Sequence, residues 1–137
     1  HLSIRRQRQM CIRDRLNALN GGLAELIGLQ FTHIGPREAR AKLQVKPEHH
    51  QPWGVANGGL YCSIAETVAS IASVVAADAP AVGVNNSSDF IRSTGQGELE
   101  AVATPVQLGG RTHLWSVEMR QGGELIARTT LRTMILR

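Results

Sequence analysis

Residues 60–77 read LYCSIAETVASIASVVAA, and the reading of this stretch decides the fold. Leu60, Ile64, Val68, Ile71 and Val75 step by four, four, three and four, the spacing of one helical face. The opposite face carries Cys62, Glu66, Ala69, Ser70 and Ser73, all small but one. A helix that is apolar or small all round is expected to be buried on every side. Its length would suit a membrane span, but Ser63, Ser70, Ser73, Thr67 and a central Glu66 argue for a core helix instead. Asp78-Ala79-Pro80 ends it.

Past Pro80 the period changes to two. Strands are expected at 82–92, 98–108, 112–121 and 124–136, separated by Gly95-Gln96-Gly97, Gly109-Gly110 and Gly122-Gly123. His113, Trp115, Val117 and Met119 alternate with Thr112, Leu114, Ser116, Glu118 and Arg120. The paired glycines are hairpin signals, because tight turns need positive φ. Upstream, Ala39, Ala41, Leu43 and Val45 alternate with Arg40, Lys42, Gln44 and Lys46, which predicts a half-buried strand stopped by Pro47. Leu16, Leu19, Leu23, Leu26 and Ile27 recur at helical spacing, and Gly21-Gly22 shortens or delays that helix. Helix, strand, long helix and a four-strand antiparallel meander predict an α+β domain whose sheet wraps one central helix.

Composition agrees with a single globular domain. The chain has 137 residues, 42% apolar and 19% charged, which excludes disordered and collagen-like classes. Two cysteines, Cys11 and Cys62, cannot build a disulfide framework and point to a reducing compartment. The net charge of +4 resides in residues 1–15, where five arginines face Asp14 alone. With 15 basic and 11 acidic residues in the chain, 16–137 keeps ten of each, so an electrostatic footprint for nucleic acid is missing from the domain. The leader HLSIRRQRQMCIRDR has no apolar run of signal-peptide length. Its arginine spacing would suit an amphipathic arm on a membrane or nucleic acid, while QMCIRDR resembles translated sequencing-adapter read-through. Residues 1–15 are therefore expected to be a non-native or disordered leader, and 16–137 a single domain.

The chemistry concentrates around the long helix. Glu66 is the one charged residue between Gly58 and Ala77. A lone carboxylate in a buried helix is costly unless paired or neutralised. Either a basic partner or a solvent-facing helix side accounts for it, or it is retained as general base or nucleophile. Ser70, one turn on, is placed to hydrogen-bond with Glu66 or with its water. At the helix start, Asn57 is a favoured N-cap, and the free N–H groups at Gly58-Gly59 suit an oxyanion with no Cβ in the way. The Gln51 amide is placed to orient a water or polarise a carbonyl. His49 and His50 lack a Cys or carboxylate cluster at ligand spacing, so no metal is expected. A nucleophile elbow, a P-loop and a dinucleotide fingerprint are all absent from the sequence.

Gln51-Pro52-Trp53-Gly54-Val55-Ala56-Asn57-Gly58-Gly59, followed by Ala65-Glu66-Thr67, resembles the hotdog-fold acyl-CoA thioesterases. The nearest branch holds the 1,4-dihydroxy-2-naphthoyl-CoA, 4-hydroxybenzoyl-CoA and phenylacetate-pathway enzymes. The likeness spans about 17–137 and continues through Asp89-Phe90-Ile91-Arg92-Ser93 and Leu108-Gly109-Gly110-Arg111. It implies Glu66 as base or nucleophile, the Gly58 N–H as oxyanion donor, and Gln51 as the group polarising the thioester or holding water. It implies Ser70 as a positioning hydroxyl, Asn57 as a site residue, and Arg92, Ser93 and Arg111 as contacts for the CoA phosphates. Where the family commonly has His-Gly-Gly, this chain has Asn57, which can donate a hydrogen bond but cannot titrate.

The resemblance further implies hydrolysis of an aromatic or medium-length acyl-CoA in the cytoplasm, without cofactor, nucleic-acid partner or membrane. It implies a homodimer or homotetramer with the site at a subunit boundary, which would also protect the edge strands. Trp53, Tyr61 and Phe90 are candidate linings of an aromatic pocket, or plain core. A non-catalytic acyl-CoA-binding hotdog module and a hotdog dehydratase are the alternative readings.

Overall fold

The structure is a computed structural model that describes residues 21–137. The 1–15 leader and the start of the first expected helix lie outside the described residues. The elements are α1 (Gly22–Ile27), β1 (Gln30–Ile34), β2 (Ala39–Val45), α2 (Gly58–Ala77), β3 (Ala81–Phe90), β4 (Gly97–Leu108), β5 (Thr112–Gln121) and β6 (Glu124–Ile135). A short 3-10 turn at Pro47–His49 follows β2. All pairings are antiparallel, and the six strands lie in the order β1-β2-β4-β5-β6-β3. One long helix against this sheet is the expected α+β hotdog arrangement.

Helix α2 buries Leu60, Tyr61, Ile64, Ala65, Val68, Ala69, Ala72 and Ser73. They meet Ala39, Ala41, Leu43, Leu99, Ala101, Trp115, Val117, Met119, Ala127 and Leu131 from the sheet. The alanines on this face carry little bulk, so the helix backbone lies close to the strands and the branched residues interlock. Burial on every side is corrected here: within one chain, Ile71, Val74 and Val75 stay half-buried and Glu66 is exposed. By length and hydropathy α2 resembles a membrane span, yet its inner face packs on the sheet as the core. Its C-terminus is closed by Asp78, which adopts the left-handed region at φ 50°.

Two differences from the sequence reading concern strand order. The meander holds for β4, β5 and β6 only. β3 crosses to the far edge and pairs with β6, with Ala81 opposite Ile135 and Phe90 opposite Ala127. Local alternation reports which side of a strand is wet and says nothing about its neighbour. β1 was not expected; a register shift between Phe31 and His33 breaks the alternation that would have revealed it.

The glycine turns divide into two kinds. Gly122 and Gly123 carry the positive φ values, 56° and 86°, of a two-residue hairpin. Gly109 and Gly110 do not; Gly109 is needed because a Cβ there would sit 2.8 Å from the Thr112 carbonyl oxygen.

Candidate active site

The loop between β2 and α2 is held at both flanks. The Asn57 N–H donates to the His49 carbonyl at 2.8 Å, and the Ala56 N–H donates to the Thr94 carbonyl at 2.8 Å. His50 Nε2 donates to the Gly95 carbonyl at 2.7 Å. His49 accepts the Lys46 N–H at Nδ1 and donates from Nε2 to the Ile27 carbonyl, each at 2.9 Å. Both histidines therefore serve as loop ties. Among the described residues there is no group of three or more potential metal ligands.

Within that loop, Gln51 to Val55 forms a small closed turn. The Gln51 N–H donates to the Val55 carbonyl at 2.8 Å, and Gly54, at φ 82°, returns its N–H to the Gln51 carbonyl at 3.1 Å. The Trp53 N–H donates to Gln51 Oε1. This bond engages the amide oxygen, so the part of the Gln51 side chain left for a ligand is the Nε2 donor. The Trp53 side chain itself is 85% exposed and does not line the cleft beside Gln51, in contrast to its expected place in an aromatic pocket.

Asn57 caps α2 by accepting the Gly59 N–H at Oδ1, 2.7 Å away. The Leu60 N–H is taken by the Asn57 carbonyl at 2.9 Å. The Gly58 N–H is a first-turn donor with no intrahelical partner, at the positive end of a 20-residue helix. Gly58 lines a cleft of ≈ 220 Å³ with Gln51, Tyr61, Phe90, Arg92 and Ser93. Burial pushes the Tyr61 hydroxyl pKa up, so it stays neutral at ordinary pH.

Glu66 lies in a different cleft, of ≈ 320 Å³, with Leu23, Cys62, Ser63, Thr67 and Asn86. It sits against β3, where a Cβ on Gly83 would be 3.3 Å from Glu66 Cδ. Eight residues of helix separate Gly58 from Glu66, about 12 Å along the axis at 1.5 Å per residue. One chain therefore separates the helix-start N–H donors, in one cleft, from the Glu66 carboxylate, in the other. Among the described residues Ser70 makes no hydrogen bond to Glu66, and it is not part of that cleft's lining.

The three expected phosphate contacts also part company, with Arg92 and Ser93 in one cleft and Arg111 elsewhere. Arg92 follows β3, beside the Gln51 cleft, and forms an exposed ion pair with Glu124 at 3.7 Å. Arg111 precedes β5, where its carbonyl accepts the Ile135 N–H at 2.8 Å. Because Ile135 pairs with Ala81, Arg111 lies at the opposite end of β3 from Arg92.

The sequence reading passed over one buried cluster. Ser73 Oγ lies 2.6 Å from both His113 Nδ1 and Thr133 Oγ1. The signal was an inward-facing His113 on β5 opposite a serine on the buried helix face. Desolvation, assisted by Arg137, holds the His113 pKa below its ordinary value.

Comparison with known proteins places this geometry. Residues 54–127 match the thioesterase superfamily. The chain is 39% identical over 112 residues to the Rv1847 protein of Mycobacterium tuberculosis, covering 77% of this chain and 80% of that one. The solved structure of Rv1847 superposes with a TM-score of 0.82 at 38% identity, over 83% of this chain and 95% of that one. It is 29% identical to the 1,4-dihydroxy-2-naphthoyl-CoA hydrolase of Escherichia coli, over 90% of this chain and 93% of that one. It is 31% identical to the proofreading thioesterase EntH of Cronobacter turicensis, over 76% of this chain and 78% of that one. With its helix-on-sheet fold and a cradle of donors at the long helix's start, the chain belongs to the thioesterase superfamily as a hotdog-fold thioester hydrolase.

Proposed function

We propose that this hydrolase cleaves an aromatic or medium-length acyl-CoA, and that each site is built from two copies of the chain. The observation carrying the proposal is the separation of the two half-sites along β3. Phe90 of β3 lies against Gly58, the Asn86 side chain donates to the Cys62 carbonyl at 3.0 Å, and Gly83 lies against Glu66. Helix α2 thus runs antiparallel to β3, and β3 is an edge strand with one side unpaired. A two-fold antiparallel pairing of β3 with its copy, centred near Asn86 and Ser87, sets Gly83 of one chain opposite Phe90 of the other. Glu66 of one copy then meets Gly58 and Gln51 of the second. The same pairing extends the sheet and covers Val82, Val84, Phe90 and Ile91, each between 43% and 56% exposed in the single chain.

In this assembled site the thioester oxygen accepts from the Gly58 N–H, aided by the positive helix end and by Gln51 Nε2. Glu66 takes a proton from a water attacking the thioester carbon, or attacks that carbon itself to form a mixed anhydride that a water then hydrolyses to free acid and Glu66. In either route the C–S bond breaks and the CoA thiolate departs, and no metal or other cofactor is needed. Arg92 and Ser93 of one copy, with Arg111 of the other, lie at the end of the site where the CoA phosphates would run. Ser70 has its role, if any, towards the second copy rather than towards its own Glu66. The cytoplasm, where CoA esters are made and used, is the setting of this reaction.

Free-thiol release from aryl- and alkyl-CoA esters, measured for the chain and its Glu66→Ala variant, tests the reading. Turnover lost in the variant supports it. Binding of CoA esters without turnover in the parent chain replaces it with the acyl-CoA-binding module.

A further inference from the structure

We propose that Phe90 selects the acyl group, admitting flat acyl groups and rejecting those branched at the carbon next to the carbonyl. The inference rests on the Gly58 N–H being the oxyanion donor. A Cβ on Gly58 would lie far inside van der Waals contact with Phe90 Cε2 and 2.6 Å from its Cζ, so the ring occupies the place of a side chain at residue 58. Tyr61, 2% exposed, backs the ring at a centroid distance of 5.7 Å and a tilt of 43°. The ring's position is set by its backbone. Phe90 pairs with Ala127, and the Ile91 and Arg92 N–H groups both donate to the Ile126 carbonyl, at 2.8 and 3.0 Å. Phe90 lines the cleft it shares with Gly58 and Gln51.

A thioester oxygen about 3 Å from the Gly58 nitrogen brings the acyl carbon beside this ring. An sp² carbon lies flat against it and gains aromatic contact. A quaternary carbon drives methyl groups into it, and Tyr61 packed behind the ring limits its retreat.

The test is kcat/KM for benzoyl-CoA, hexanoyl-CoA and pivaloyl-CoA with the parent chain, Phe90→Ala and Phe90→Tyr. The benzoyl-to-pivaloyl ratio is read on each preparation, so a partly folded variant still reports it. The parent is expected to prefer benzoyl over pivaloyl by about 10- to 200-fold, the range a hydrophobic wall supplies. Phe90→Ala should lower that ratio about tenfold or more, while Phe90→Tyr retains it. A ratio unchanged in Phe90→Ala, with the parent turning over, overturns the role of Phe90 alone. A parent chain releasing thiol from none of the three esters overturns the acyl-CoA reading and the selectivity with it.

Discussion

Glu66→Ala and Gln51→Ala, each inactive alone, should restore activity when mixed. Glu66 lies against Gly83, and Gln51 shares its cleft with Gly58 and Phe90, at the other end of β3. In Glu66→Ala both sites of a dimer lose the base, worth about 10²–10⁴ in rate. In Gln51→Ala both lose a carbonyl donor, worth about 10²–10³. A mixed dimer holds one site with both lesions and one with neither. Equal mixing yields hybrids in about half the dimers, each with one intact site of two, so activity should reach about a quarter of the parent value for an isologous dimer. The assay is thiol release after the variants are unfolded together and refolded, beside each variant refolded separately. A mixture no more active than the average of the two would mean that each site is built within one chain. The two-copy reading would then be wrong.

Other outcomes follow from single contacts. Asn57→Ala removes the cap on Gly59 and should cost about 1 kcal/mol, a Tm drop of about 3–5 °C, while Asn57→Asp keeps the cap. Asn57→His should retain turnover, and its complete loss would contradict the view that this position accepts either residue. Gly95→Ala would place a Cβ 2.6 Å from the Gly54 carbonyl oxygen, strain the Gln51 turn and cost about 1–3 kcal/mol in urea unfolding. His113, buried and hydrogen-bonded to Ser73, has its folded pKa depressed below the unfolded value. The unfolded chain then binds more protons as pH falls through the usual histidine range, so stability is fully present above that range and is lost below it. Thermal melts between pH 7.5 and pH 5 should show the loss, and His113→Gln should flatten the slope. An equal slope in the variant would assign the effect elsewhere.

Much of the fold was legible because periodicity is a local property. The 60–77 helix, the 39–46 strand and the strands from Gly97 to Ile135 all read correctly to within about two residues, since each sets an apolar face against water. β1 and the place of β3 were not legible. Both are edge strands carrying register shifts, at Phe31/His33 and Gly83/Asn85, and neither alternates. The motif from Gln51 to Glu66 was equally plain as a set of residue types, but its spacing along the chain does not say which of those residues share a cleft.

What the sequence determined by itself is the chemistry available: a carboxylate alone on an apolar helix, an N-cap followed by two glycines, and a glutamine in the preceding turn. These depend on residue type and short-range spacing, which survive in one dimension. Only the tertiary structure decided which of those groups share a cleft. It engaged the Gln51 oxygen with the Trp53 N–H and left the amide to donate. It set Phe90 over Gly58 from a strand more than thirty positions away in the chain. It also held Glu66 about 12 Å along the helix from the Gly58 N–H, because a helix rises 1.5 Å per residue and cannot fold back on itself. A rigid rod keeps Gly58 and Glu66 apart within one chain, and the proposed antiparallel pairing of β3 with a second copy is what would bring them together.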